Sequence, residues 1–416
     1  MGGARVTVAL PWPEAREAAF RLGAEAGTPV EAVALVDAMG RTLAADLLAA
    51  APLPGFDTSA MDGWAVSGEG PWTVVGESLA GRPWGGSGAD EDPAALGAGQ
   101  AIAIATGARV PAGAQGIVRR EHGTVVPEAR VASSLPFEGR DLRRAGEECA
   151  VGDILAHRGA VASPALVGLA AATGLDRLDV RVAPRICLVV FGDELALAGA
   201  PGPASVRDAL GPQVPGWLRL LGAGPITVSF AADTLEAHVA AIGAGAGDAD
   251  VVVTTGGTAA GPVDYVHAAI AALGGAYIAD SVAVRPGHPM VLAHLERGGR
   301  SVPILALPGN PQSAVVAIMS LGWPLLAGML GQDLPRLGRA RLAEDWAAPA
   351  GEHRLVAGTR TDEGAFAASA HLGSAMLRGL VAADGFAVLP PGGAPAGADA
   401  PWLPLPAPRL ATGGVR

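Results

Sequence analysis

Residues 250–274 read DVVVTTGGTAAGPVDYVHAAIAALG. The run at 250–254 is short, apolar and β-branched, the composition of a buried strand. Residues 264–274 carry apolar side chains at helical spacing. A glycine-rich turn joins the two. The same alternation surrounds this stretch. Apolar runs recur at 186–191, 225–230 and 303–307, and helical patterns at 212–222 and 233–244 separate them. Strands that alternate with helices predict a parallel sheet covered on both faces. Residues 181–329 are therefore expected to form a central, doubly wound α/β domain, with ligands at the carboxyl ends of its strands.

The flanking sequence has a different texture. Residues 13–27 predict a helix with Ala15, Ala19, Leu22 and Ala26 on one face, and a second helix is expected near 30–37. From Pro52 and Pro54 to about residue 140, short apolar pieces alternate with Gly and Pro turns, as in a small β-rich domain. Residues 163–173 again read as a helix. The last stretch returns to short strands and turns. The expected organisation is a framing domain built from 1–50 and 141–180, an inserted β-rich domain at 51–140, the central domain, and a C-terminal β domain at 330–416.

The 416 residues are 50% hydrophobic and 17% charged, enough apolar material for real cores. The net charge of −11 argues against a general nucleic-acid binder or a binder of anionic membranes. All 29 basic residues are arginine. Cys149 and Cys187 form no CxxC pair, so neither a zinc pattern nor a disulfide framework is indicated, and a reducing cytoplasm fits. The N-terminal stretch has no long apolar core of a signal peptide. The uncharged run 313–331 approaches membrane-spanning length, but Pro324 and its Gly and Ser residues favour a buried helix pair.

Three strand ends carry residues suited to chemistry. In VVFGDEL, Gly192, Asp193 and Glu194 follow a strand. The carboxylates suit a metal ion, although acids at a helix start need no ligand to explain them. In TTGGTAAGPVDYV, Gly256 and Gly257 allow backbone amides to approach a phosphate. Asp264 could cap the following helix or ligate magnesium. In LPGNPQSA, Asn310 and Pro311 suit the N-cap and first turn of a helix. Capping leaves Gly309 and Ser313 unexplained. Between them, VAVRPGHPM offers Arg285 as a fork for an oxyanion and His288 as a donor that strengthens on protonation. An ordinary polar turn is the simpler reading of His288 alone. Outside the central domain, FDTSAMDGWAV packs Asp57, Ser59, Met61 and Asp62 into one loop, and GRDLRRAGEE sets Arg143 and Arg144 beside Glu147 and Glu148. A turn and a solvated ion-pair cluster account for these two when each is taken alone.

Taken in order, these segments resemble the MoeA/gephyrin E-domain family of molybdopterin molybdenumtransferases. FDTSAMDGWAV at 56–66 is similar to the family's FDxSAMDGYAV. IATGARVPAGAQGIVRREH at 104–122, GRDLRRAGEECAVGDIL at 139–155 and FGDEL at 191–195 follow in register. So do TTGGTAAGPVDYV at 254–266, VAVRPGHP at 282–289, LPGNPQSA at 307–314 and HLGSAMLRGLVAADGFAVLP at 371–390. The resemblance spans nearly the whole chain.

The resemblance implies an elongated homodimer with a MogA-like central domain and a cleft between the central and C-terminal domains. It implies insertion of molybdate into adenylylated molybdopterin, with Mg²⁺-assisted release of AMP. By motif position Glu194 and Asp264 would serve the metal, and Gly256 and Gly257 the phosphates. Arg285, His288, Ser313 and Ser374 would line the molybdate pocket. Asp62 and Thr106 would come from the partner subunit. A molybdopterin adenylyltransferase and apo-molybdoenzymes are the implied partners, with no role for nucleic acid or membrane. The sequence also departs from the family pattern. Arg285 and His288 stand where the family has two lysines. Pro262 replaces an aspartate and Ala259 a serine. The DSN motif reads Asp208, Ala209, Leu210, Phe191 replaces the threonine of TGDEL, and Asp384 replaces an asparagine. These changes leave three readings: an insertase with an adjusted oxyanion pocket, a non-inserting paralogue that carries a pterin or nucleotide, and a different phosphoanhydride hydrolase.

Overall fold

The computed structural model describes residues 9–85, 94–137, 139–258 and 265–406. In the central domain, Ile226–Ala231, Ile186–Phe191, Val251–Thr255 and Arg300–Leu307 lie side by side, all parallel. Alternate residues of these strands face opposite layers, as the two-residue period of a strand requires. Leu188, Val190, Val253, Leu305 and Leu307 join one buried cluster, and Val189, Val252, Ile304 and Ala306 another. Helices Leu235–Asp248 and Val266–Ala272 cover the second face, while Leu210–Leu220 packs on the first.

The sheet is not wholly parallel. Val291–Arg297 runs antiparallel to Arg300–Leu307, and Ala276–Ala279 completes the edge. The turn between the paired strands is Gly298-Gly299, both with positive φ. That is the two-residue hairpin signal of a primed turn, and it is present in the sequence. The helix expected near 30–37 is also different. Val30–Ala34 is a strand paired antiparallel with Arg177–Arg181, and only the single turn Leu35–Ala38 is helical. A waiting partner strand overrides weak helical spacing.

The uncharged run at 313–331 is one continuous helix rather than a helix pair. Pro311–Ala317 passes through a π-helical turn, Ile318–Gly322, into Trp323–Met329. Pro324 follows directly on the π-helical turn, whose shifted bonding, with the Trp323 amide donating to the Ile318 carbonyl, accommodates its missing N–H. The helix is 94% buried inside the protein, which accounts for its apolar composition. It packs on the N-terminal helix Trp12–Ala26, with Gly23 and Gly328 at the crossing. A Cβ on Gly23 would stand 2.0 Å from the Leu325 carbonyl oxygen, so the two backbones touch there. The π-turn is tied to the same helix. Trp12 Nε1 donates to Ser320 Oγ at 2.8 Å, and Arg16 donates to the Met319 and Pro335 carbonyls. Burial lowers the Arg16 guanidinium to about 10. The N-terminal helix thus belongs to the central core, although it falls in the segment expected to frame the β-rich domain.

The inserted segment forms a six-stranded sheet in the order Gly116–Arg119, Gly63–Val66, Gln100–Ile104, Trp72–Ser78, Arg130–Ser133, Gly123–Val126. The C-terminal segment closes into a barrel. His353–Arg360 pairs with Ala365–Ala368 and with Gly385–Leu389, and Gly338–Leu342 and Asp399–Pro404 complete the ring. A strand of the central region is stitched onto it. Val282–Arg285 runs parallel to the start of His353–Arg360, with Val284 opposite His353 and Arg285 opposite Arg354. This pairing positions the site described next.

Candidate functional site

Two adjoining cavities lie between the central domain and the barrel. They share Pro289, Pro308 and Asn310. The first has a volume of about 450 Å³ and is lined by Arg285, His288, Ser313, Arg354 and Ser374, among others. The second, about 620 Å³, lies over the strand ends and is lined by Gly192, Glu194, Asp208, Asp233, Gly256, Gly257 and Gly309, among others.

The second cavity follows from the topology. Ile186–Phe191 and Val251–Thr255 end side by side, and the chain must turn sharply to leave the sheet. Gly256 and Gly257 have φ of +80° and +66°, values that side chains other than glycine rarely adopt. A Cβ on Gly256 would also approach the Phe191 carbonyl oxygen to 3.2 Å. Of the carboxylates here, Asp208 accepts from the Leu210 and Gly211 amides and so caps the helix Leu210–Leu220. Asp233 accepts from the Asp193 amide at 3.0 Å. Glu194 is exposed, and its carboxylate makes no hydrogen bond to a described residue. Among the described residues no cluster of three or more His, Cys, Asp or Glu could hold a metal by itself. Magnesium commonly takes one or two carboxylates and fills its shell with water and substrate phosphates. One uncommitted carboxylate beside a glycine cradle fits that requirement. Asp264, expected as the second, lies outside the described residues, as do Ala259 and Pro262.

The first cavity brings Arg285, His288, Ser313 and Ser374 together, as their motif positions imply. Its chemistry is more committed than the sequence suggests. Arg285 Nε donates to Glu352 Oε2 at 2.9 Å, and His288 Nδ1 lies 3.3 Å from Glu352 Oε1 and 3.0 Å from the Val282 carbonyl oxygen. Arg354 donates to the Ala347 carbonyl at 2.8 Å and lies over the Trp346 ring.

The helix N-terminus at Pro311–Ala317 is likewise occupied. The amides of Gln312 and Ser313 both donate to the Ser374 carbonyl, at 2.9 and 3.2 Å. Asn310 stands at the N-cap position but its side chain makes no capping bond. The barrel loop supplies the cap instead. Gln312 is fully buried, and its amide group donates to the Gly373 and Met376 carbonyls at 2.9 and 3.1 Å. The loop carrying Ser374 is therefore held to the central helix by both backbone and side chain.

Sequence reasoning missed Glu352, Arg354, Gln312 and the uncommitted side chain of Asn310. Only the strand register of 282–285 with 353–360 reveals the first two, because they are far from Arg285 in the chain. Asp62 and Thr106 line neither cavity of their own chain. They form a pair at one end of the six-stranded sheet. Asp62 Oδ1 accepts from the Thr106 amide at 2.7 Å and from its hydroxyl at 2.9 Å. Those bonds hold the Asp62 carboxyl below its ordinary range. Nearby, Arg119 grips Asp141 with two bonds of 2.9 Å, and Arg144 and the Ala145 amide hold Asp57. The segment expected to be a solvated cluster thus ties the FDTSAMDGWAV loop in place.

Comparison with known proteins agrees along the chain. Residues 10–174 match a model described as the MoeA N-terminal region (domain I and II). Residues 187–328 match a probable molybdopterin binding domain, and 339–405 the MoeA C-terminal region (domain IV). The molybdopterin molybdenumtransferase of Synechococcus elongatus is 33% identical over 376 residues, covering 87% of this chain and 91% of that protein. Molybdopterin molybdenumtransferase 2 of Mycobacterium tuberculosis is 33% identical over 315 residues, 73% of this chain and 76% of its own length. In fold, the chain is similar to a molybdopterin biosynthesis MoeA protein from Pyrococcus horikoshii, with a TM-score of 0.77 at 20% identity over 95% of this chain and 99% of that one.

Proposed function

This chain belongs to the MoeA family of molybdopterin molybdenumtransferases, and from that premise we propose that it inserts molybdate into adenylylated molybdopterin with magnesium-dependent release of AMP. The observation that carries this reading is the pairing of the cavities. A pocket holding Arg285, His288, Arg354, Ser313 and Ser374 opens onto one with a glycine cradle and an uncommitted Glu194.

In this reading, molybdate enters the first cavity as substrate. Guanidinium groups suit a tetrahedral dianion because their planar N–H forks meet two oxygens at once. The Ser313 and Ser374 hydroxyls donate to the oxygens that remain. In the second cavity the amides around Gly256 and Gly257 receive the phosphoanhydride, and Glu194 would hold Mg²⁺. When bound, Mg²⁺ neutralises charge that develops on the phosphoanhydride oxygens. Asn310, shared by both cavities, orients the ligand across their junction. Asp62 and Thr106 reach the cleft of the partner subunit in a homodimer. A molybdopterin adenylyltransferase supplies the substrate, apo-molybdoenzymes receive the product, and the cytoplasm is the compartment.

One observation favours the carrier alternative, a paralogue that binds a pterin or nucleotide without inserting metal. Glu352 already engages Arg285 and His288 of the first cavity. The readings separate in one assay: AMP release from adenylylated molybdopterin with Mg²⁺, with and without molybdate, followed by activation of an apo-molybdoenzyme. Molybdate-dependent release with activation is the expected result. Tight binding without release supports the carrier, and release indifferent to molybdate overturns the insertase.

A further inference from the structure

Beside the first cavity, outside its lining, stands an acid that the sequence motifs do not foretell. Glu352 precedes the strand His353–Arg360, whose parallel pairing with Val282–Arg285 sets Arg285 beside Arg354. Its Oε2 accepts from Arg285 Nε at 2.9 Å, and its Oε1 lies 3.3 Å from His288 Nδ1. The Glu352 side chain is only 19% exposed, against 55% for Arg285 and 34% for His288. The carboxylate is the most withdrawn of the three and bridges the other two from beneath.

A carboxylate that spreads two oxygens over a guanidinium and an imidazole does what two oxygens of a tetrahedral anion would do. It therefore occupies the Arg285 donor that an incoming oxyanion needs and lies against the His288 ring. The tautomer of His288 reinforces this. Nδ1 has two acceptors near it, the Val282 carbonyl and Glu352, so Nδ1 carries the hydrogen. Nε2 is then the ring nitrogen left for a ligand, and in neutral imidazole it presents a lone pair to that ligand. Arg354 is the other charged group of the cavity, and it is bonded to the Ala347 carbonyl.

We infer that Glu352 is a specificity-determining residue of the oxyanion pocket, an internal carboxylate that competes with tetrahedral dianions for Arg285 and His288. The inference rests on the reading of this cavity as the molybdate site. The acid holds both side chains in place until an anion displaces it. It also raises the threshold that an anion must pass, so weakly bound anions do not displace it.

The test is equilibrium dialysis of the full-length chain with molybdate, and separately with tungstate, for wild type, Glu352→Gln, Glu352→Asp and Arg285→Ala. Thermal melting confirms that each variant is folded. Removing a like charge beside a bound dianion should strengthen binding about tenfold in Glu352→Gln. Glu352→Asp, whose shorter side chain retreats from the pair, should gain about threefold. Should the Gln variant fail to fold, the Asp variant decides the question alone. Arg285→Ala should weaken binding. Unchanged or weaker binding in the folded Glu352 variants, with Arg285→Ala still weakened, overturns the inference and leaves the molybdate pocket standing. Binding that none of the variants alters overturns the pocket assignment itself, and the inference with it.

Discussion

The two cavities of the cleft are neighbours built on opposite principles. The one over the strand ends is local in sequence, comes from sharp turns at 192–195 and 255–258, and leaves Glu194 uncommitted. The one beside the barrel gathers four distant segments, 285–289, 308–313, 354–356 and 372–374, and its two arginines, its histidine and the Ser313 amide already have partners inside the protein. The first resembles an open receptacle, the second a closed network that a ligand must enter by exchange. Exchange weakens affinity but improves discrimination, because an anion gains only the difference between its own contacts and those it replaces.

The contrast breaks most sharply at Glu194. If the strand-end cavity depends on one free carboxylate, Glu194→Gln should lower magnesium-dependent AMP release about 100-fold or more. Molybdate binding in the other cavity should be unchanged. Equal losses of both would show that the two cavities are a single energetic unit.

The closed network has its own weak point at Gln312. Gln312→Val leaves the Gly373 and Met376 carbonyls without their donor. A buried acceptor left unsatisfied costs about 1–3 kcal/mol. The expected result is a lower melting temperature together with faster hydrogen exchange in the loop at 372–376. Destabilisation without a change in that loop would mean that the backbone cap from Ser374 holds it alone. The scaffold beneath both cavities offers a control. Gly23→Ala places a methyl against the Leu325 carbonyl and should cost about 1–3 kcal/mol. Both cavities should then lose activity together, in proportion to unfolding.

This difference in construction also decided what could be read from the sequence. The central sheet was legible because buried strands and amphipathic helices alternate at 186–274, and the glycine turn at 256–257 names its own cavity. The barrel-side cavity was legible only as a set of motifs, namely Arg285, His288, Ser313 and Ser374. Their partners were not legible. Glu352 and Arg354 reach the site through strand register, which no local pattern encodes. Asn310 and Pro311 were read correctly as a helix start, yet the cap comes from a carbonyl more than sixty residues away. The strand at 30–34 was misread as a helix for the same reason, since its partner at 177–181 lies far along the chain.

The Asp62–Thr106 pair gives the smallest effect and extends the comparison to the inserted sheet. Like the barrel-side cavity, it is satisfied internally, by two bonds from one threonine. These bonds depress the folded-state pKa of Asp62. A carboxyl depressed in the folded state contributes stability that is fully present above its unfolded value. That contribution is lost as the pH falls through the folded value. Asp62 should therefore favour the folded state at neutral pH and cease to do so in acid. Thr106→Val removes the hydroxyl donor but keeps the amide, so the Asp62 pKa should rise only part of the way toward that of a free carboxyl. Side-chain carboxyl chemical shifts followed through an acid titration would measure it. A full return to the free value would show that the amide bond depends on the hydroxyl. No movement at all would show that the amide alone sets the charge. If this loop completes the cleft of a second subunit, the same variant should lower AMP release while leaving the oxyanion affinity of the barrel-side pocket intact, because the pair lines neither cavity of its own chain.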